Sequence, residues 1–163
     1  MSIFIRRLKD SDVAQIEVLL HETVHAINAQ DYSQEQLDAW APTLSEAERH
    51  ERVQRLHVSL ARNDCCVADS DGIVVGFADI SVDGYLDHMY VHKNYQRQGI
   101  ASQLLGFVED TVRKIGVSTV RTHASITAKS FFEHQGYVVV DPQTVTIRGV
   151  SMTNYKMIKV FKA

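Results

Sequence analysis

Residues 89–101 read Met-Tyr-Val-His-Lys-Asn-Tyr-Gln-Arg-Gln-Gly-Ile-Ala, a β-rich strand end passing through a polar turn into a helical pattern. A helix start exposes backbone N–H groups with no intrahelical partner at the positive end of its dipole, which favours phosphate. Gly99 and Ala101 let the backbone come close to a pyrophosphate, and Gln96, Arg97 and Gln98 bring donors to the rim. Neither Gly-x-x-x-x-Gly-Lys-Ser/Thr nor Gly-x-Gly-x-x-Gly occurs, which argues against an NTP-hydrolysing loop and a dinucleotide fold. A simple strand-to-helix turn needs a glycine too, so the segment alone leaves both readings open.

A second constellation is His21-Glu22-Thr23-Val24-His25, the His-Glu-x-x-His spacing of zinc proteases. On a helix the two histidines lie one turn apart and can share a metal while the glutamate activates water. A third ligand is needed, and no downstream pattern supplies it, so zinc proteolysis stands as a remote alternative and no metal is expected. Cys65 and Cys66 are neighbours in an apolar run and cannot cross-link distant parts of a fold, which makes them buried strand residues of a reducing compartment.

The elements that must position these residues follow from periodicity. The chain has 163 residues, enough for one domain with its own core. Val13, Ile16, Leu20, Val24 and Ile27 form one helical face, which Asp10 or Ser11 can cap. A second helical region over 33–61 is interrupted at Pro42 and restarted by a Ser45-Glu48 capping box. Short strands over 64–69, 73–82 and 85–92 are joined by turns at Asp71-Gly72 and Asp83-Gly84. A helix from about Gly99 to Gly116, a strand at 118–123, a helix at 126–135 and strands at 137–147 and 150–160 complete the order. That succession predicts an α+β fold, a mixed and mostly antiparallel sheet flanked by helices, with strand 3–7 first.

The net charge of −3, with its basic residues scattered, argues against nucleic acid. No apolar run reaches the ~20 residues of a membrane span. The first residues lack the apolar core of a secretion signal, so a soluble cytoplasmic protein is expected.

Gln96-x-x-Gly99-x-Ala101 after a Tyr-Val strand end resembles the signature of the GNAT acetyltransferase superfamily, and the element order resembles that fold over nearly the whole chain. Ala128, Phe131 and Gly136-Tyr137 match its next conserved segment. Asn28-Ala29-Gln30-Asp31-Tyr32, Ala39-Trp40-Ala41-Pro42 and Thr153-Asn154-Tyr155-Lys156-Met157 look like its YafP-like branch.

The resemblance implies an N-acetyltransferase that uses acetyl-CoA (coenzyme A) as co-substrate and passes the acetyl group to a small-molecule or peptide amine. Backbone groups of Met89, Tyr90 and Val91 would pair with the pantetheine arm, and the amides of Arg97 to Ser102, with Ile100 and Ala101 among them, would hold the pyrophosphate. Ser125 and Phe132 would border the same arm, and Asp87 would be the base. By alternation Tyr85, Asp87 and Met89 share one strand face, with Leu86, His88 and Tyr90 on the other. Phe132 stands where many members have a proton-donating tyrosine, and Tyr155 is the expected replacement, ahead of Tyr137. His25, Asn28, Tyr32 and Trp40 are acceptor-side candidates by position. Because Phe132 has no proton to give, a non-catalytic acetyl-CoA sensor is the main alternative, and pairing of edge strands into a homodimer is a further expectation.

Overall fold

The computed structural model describes residues 2–162; Met1 and Ala163 lie outside the described residues. Strands β1 (Ile3–Arg7), β2 (Asp64–Ser70), β3 (Ile73–Ile80), β4 (Tyr85–Val91), β5 (Thr119–Ser125), β6 (Val138–Ile147) and β7 (Val150–Val160) form one sheet in the order β1-β2-β3-β4-β5-β7-β6. Helices α1 (Val13–Ile27), α2 (Gln34–Trp40), α3 (Glu46–Ala61), α4 (Ile100–Lys114) and α5 (Lys129–His134) cover its faces. Every neighbouring pair is antiparallel except β4 and β5. The α+β, mostly antiparallel architecture is the one expected.

Two apolar cores lie on opposite faces of the sheet. One joins Val13, Ile16, Leu20 and Val24 of α1 to Leu37, Leu56 and Leu60 of α2 and α3, over Phe77. The other joins Leu104, Val108 and Val112 of α4 to Leu86, Val120 and Met157. Burying each such side chain stabilises the fold by about 1.5–3 kcal/mol. Cys65 and Cys66 are buried strand residues, and burial pushes the Cys66 thiol up to about 12, beyond use as a nucleophile.

The start of α1 differs from the expectation. Neither Asp10 nor Ser11 caps it; a 3-10 turn over Asp10–Asp12 precedes it. Asp12 accepts from the Lys9 N–H at 2.7 Å and from both terminal nitrogens of Arg6 at 2.8 and 2.9 Å. Asp12 thus serves both the Arg6 ion pair and the Lys9 N–H at the entry to this turn. The Ser45-Glu48 box is present, and an equivalent Ser33-Gln36 box starts α2.

The β4–β5 contact positions the site. Gly84, at φ 93°, has no room for a side chain, because a Cβ there would sit 2.5 Å from the Thr119 carbonyl oxygen. That close approach brings β5 alongside β4, yet only Tyr85↔Arg121 and Leu86↔Thr122 pair. The Thr122 hydroxyl donates to the Leu86 carbonyl at 2.9 Å, ending the ladder. Beyond it the strands part.

Candidate functional site

A cleft of about 530 Å³ passes through the sheet where β4 and β5 separate. On the α4–α5 side it is bordered by Met89, Val91, the turn before α4, Ser125, Thr127 and Phe132; on the α1–α2 side by Thr23, Ile27, Asn28, Trp40 and Tyr90. Asp87 and His123 lie between.

The β4 backbone in this cleft is unpaired on one side. His92 N–H donates to the Val75 carbonyl at 2.8 Å and His88 N–H to the Asp79 carboxylate at 2.9 Å, so even-numbered residues face β3. Alternation then turns the Met89 and Val91 backbone groups into the cleft. Tyr90 is corrected here: its backbone faces β3 opposite Phe77, and it is its side chain that borders the cleft. The Val91 carbonyl accepts the Gln96 amide at 2.6 Å. Gln96 therefore ties the turn to the strand rather than offering its donors to a ligand, and Gln98 is exposed outside the cleft lining.

Arg97 (φ 60°) and Gly99 (φ 79°) have left-handed backbone conformations just before α4. Such residues turn successive N–H groups inward, a concavity suited to anions, and it continues into the unpaired first-turn amides of Ile100, Ala101 and Ser102. A Cβ on Gly99 would meet no protein atom within 4 Å, so the space above it is open. The Thr127 hydroxyl is buried at the cleft wall with no hydrogen-bond partner. An extended strand-like amide chain ending in a pyrophosphate fits all three features. Ser125 caps the entry to α5, accepting from the Ala128 N–H at 3.1 Å while keeping its own proton.

The strand alternation expected around Asp87 is broken. Asp79 pairs with His88 and Ile80 with Leu86, leaving Asp87 as an extra, bulged residue. Leu86 and Met89 consequently pack on the α4 side, whereas His88 and Tyr90 lie on the α1 side with Phe77. Burial pushes the Asp87 carboxyl above the usual range, with the Asp79 charge adding to it, against the pull of His88 and His123. Asp79 is fully buried and accepts from His88 Nδ1 at 2.9 Å and Asn63 Nδ2 at 2.9 Å. Burial lowers the His88 pKa, but the Asp79 bond and the two carboxylates outweigh it and the net shift is upward. Asp87 lies 3.8 Å from His88 Nδ1, so carboxylate, imidazole and carboxylate form one proton-holding cluster.

Tyr155 is displaced from the expected site. It packs on the α5 side with Lys129 Nζ 5.3 Å from its ring centre, and it is not part of the cleft wall. Tyr137 is a core residue: its hydroxyl donates to Glu109 at 2.7 Å, far from the cleft. Tyr32 is buried and its hydroxyl is used twice, donating to the Thr153 carbonyl at 2.7 Å and accepting from the Ile126 N–H at 2.9 Å. His25 is bound to the Ala41 carbonyl at 2.7 Å. Thus Asn28 and Trp40 border the cleft, and His25 and Tyr32 support it from behind. Tyr90 supplies the hydroxyl that the sequence reading missed. It lines the cleft together with Trp40, and burial pushes its pKa up to about 12.

The side chains of the zinc-protease motif diverge. His21 and His25 stack at 4.5 Å, whereas Glu22 turns away to within 3.4 Å of His92. Among the described residues the metal-capable cluster is that of Asp79, Asp87 and His88.

Residues 28–159 match the acetyltransferase (GNAT) domain. The chain belongs to the GNAT acetyltransferase family. It is 33% identical over 156 residues to YafP of Escherichia coli K12, an uncharacterized N-acetyltransferase, covering 96% of this chain and 95% of that one. Its fold is similar to that of a GCN5-related N-acetyltransferase from Rhodopseudomonas palustris, with TM-score 0.89, 26% identity and coverage of 99% and 97% of the two chains. PaiA N-acetyltransferase from Thermoplasma acidophilum, solved in complex with coenzyme A, shares the fold with TM-score 0.76 and 22% identity, covering 99% and 100%. The chain is accordingly an N-acetyltransferase of the GNAT type, and no helix among its described residues is long and apolar enough to cross a membrane.

Proposed function

We propose that this acetyltransferase holds acetyl-CoA in the α4–α5 half of the cleft and a primary amine in the α1–α2 half, with direct transfer between them. The observation that carries this is the passage through the sheet at β4–β5, which lets two molecules meet from opposite faces beside unpaired backbone donors. The coenzyme A complex of PaiA, a fold relative, supports coenzyme A as the kind of ligand this cleft takes.

The Met89 and Val91 backbone groups align the pantetheine arm as an added strand, and the amides after Gly99 bind pyrophosphate. Asp87 takes the proton of the attacking amine; its raised pKa brings its basicity closer to that task. His88, anchored on Asp79, sets the electrostatic surroundings of Asp87, which releases the proton to solvent through its exposed side. The Met89 N–H faces the oxygen that becomes negative when the amine adds. The Tyr90 hydroxyl, kept protonated by its burial at the cleft wall, protonates the departing thiolate.

Free-thiol release from acetyl-CoA with a panel of amines tests this reading. Tyr90→Phe should lower kcat about 10²-fold with acetyl-CoA affinity unchanged, and Tyr155→Phe should stay near wild type. Thiol release unaffected by Tyr90→Phe removes that residue from the mechanism. Tight acetyl-CoA binding with no release on any amine or peptide makes the protein a sensor instead.

A further inference from the structure

Beside the acceptor half of the cleft, and separated from it by Trp40, lies a second chamber of about 30 Å³. Arg52 and Arg55 of α3 and Arg148 of the β6–β7 turn converge on it. Glu17 is the one carboxylate in its wall, and that side chain is 3.5 Å from Arg49. Among the described residues no carboxylate comes within ion-pair distance of Arg52, Arg55 or Arg148. Arg148 is fixed by a 2.6 Å bond to the Ala39 carbonyl, at φ 47°. His21 borders the same chamber, and its Nε2 is buried with no partner. Burial, then repulsion from Arg55 and Arg148, lowers the Arg52 pKa against the pull of Glu17 and Tyr90.

Half-buried Arg52 and the exposed Arg55 and Arg148 present donors whose fork geometry matches a carboxylate. The chamber has the size of one small oxyanion. It also adjoins the cleft, because Trp40 lines both. We propose that this chamber binds an anionic group of the amine acceptor, so that the enzyme acetylates an amine carrying a carboxylate or a comparable oxyanion rather than a polyamine. The inference rests on the acetyl-transfer reading for the word acceptor, but the anion site itself does not.

Trp40 is the chain's single tryptophan and forms the shared wall, so its fluorescence reports the chamber directly. Succinate and inorganic phosphate, each titrated at constant ionic strength, should give saturable changes in the wild type, the tighter one naming the anion. Arg52→Gln and Arg148→Gln should each weaken that binding at least tenfold and leave acetyl-CoA affinity unchanged. In thiol release, amino acids should exceed their own carboxamides in kcat/KM at least tenfold, and Arg52→Gln should erase the preference while sparing the carboxamides. The proposal is overturned by no saturable response to either anion, by equal response in the variants, or by spermidine outpacing every anionic amine. Anion binding with no thiol release on any amine keeps the site and defeats the transfer reading.

Discussion

Gly99→Val isolates the turn assigned to the pyrophosphate. Two costs separate cleanly at this position. Placing a β-branched residue at φ 79° costs the fold about 1–2 kcal/mol, because the left-handed region crowds Cβ against its own backbone. No further steric penalty arises, since a Cβ there meets no protein atom within 4 Å. For a domain of this size that destabilisation lowers Tm by about 2–8 °C. The cost to the ligand is larger. The valine methyls enter the open space above the amides of Ile100 to Ser102, and two such charge-assisted bonds lost amount to about 3–6 kcal/mol. That corresponds to an acetyl-CoA affinity weakened by about 10²–10⁴-fold. Isothermal titration with acetyl-CoA, beside a circular-dichroism melt, measures both terms. A variant that melts within this window yet binds acetyl-CoA with wild-type affinity refutes the assignment of the turn. A variant that fails to fold refutes the claim that the position is sterically open.

Asp87→Asn should lower kcat about 10²-fold or more while leaving KM nearly unchanged. The wild-type rate should rise with pH through a carboxyl pKa above the ordinary value, a limb missing in the variant. Because the folded-state pKa of Asp87 is raised, its stabilising effect is present at low pH and lost as pH rises through that pKa; Asp87→Asn should therefore melt higher than wild type at pH 7 and not at pH 4. Asp12→Ala breaks a buried ion pair and should cost about 3–5 kcal/mol in urea unfolding. Burial pushes the Asp12 carboxyl up, but Arg6 and the Lys9 N–H hold it below its usual value, so its stabilisation is present above the unfolded pKa and lost as pH falls through the folded one. Gly106→Ala, within α4 where a Cβ meets nothing within 4 Å, should raise stability by about 0.8–1 kcal/mol and leave turnover unchanged.

Periodicity carried most of the architecture. Val13, Ile16, Leu20 and Val24 lie on the buried face of α1, and the Asp71-Gly72 turn closes β2 and β3 with both residues at positive φ. The Gly99 turn was legible because its residues are contiguous. Two kinds of information were not. A bulge inserts one residue into one strand and is invisible until its partner strand is known, so alternation misplaced Leu86 relative to His88. Long-range contacts were equally hidden: nothing near Tyr32 in sequence reveals that its hydroxyl is bound by Thr153 and Ile126, or that Trp40 and Tyr90 meet at the cleft wall. Tyr155 was placed by strand direction alone, which fixes the end of a strand but not the face its ring takes.

The parting of β4 and β5 also bears on how the molecule keeps its shape. An unfilled seam at the centre of a sheet is an edge turned inward, where backbone groups that would elsewhere be laddered have no strand of their own chain opposite them. Any strand-like molecule seated there completes the sheet, and by mass action a ligand at 100 times its dissociation constant adds about 2.7 kcal/mol to folding. The protein's resistance to unfolding then follows the supply of the molecule that fills the seam. Without that molecule the chain is softer at its middle, where two residue pairs at one end are all the strand pairing across the seam and the cores on either face carry the rest.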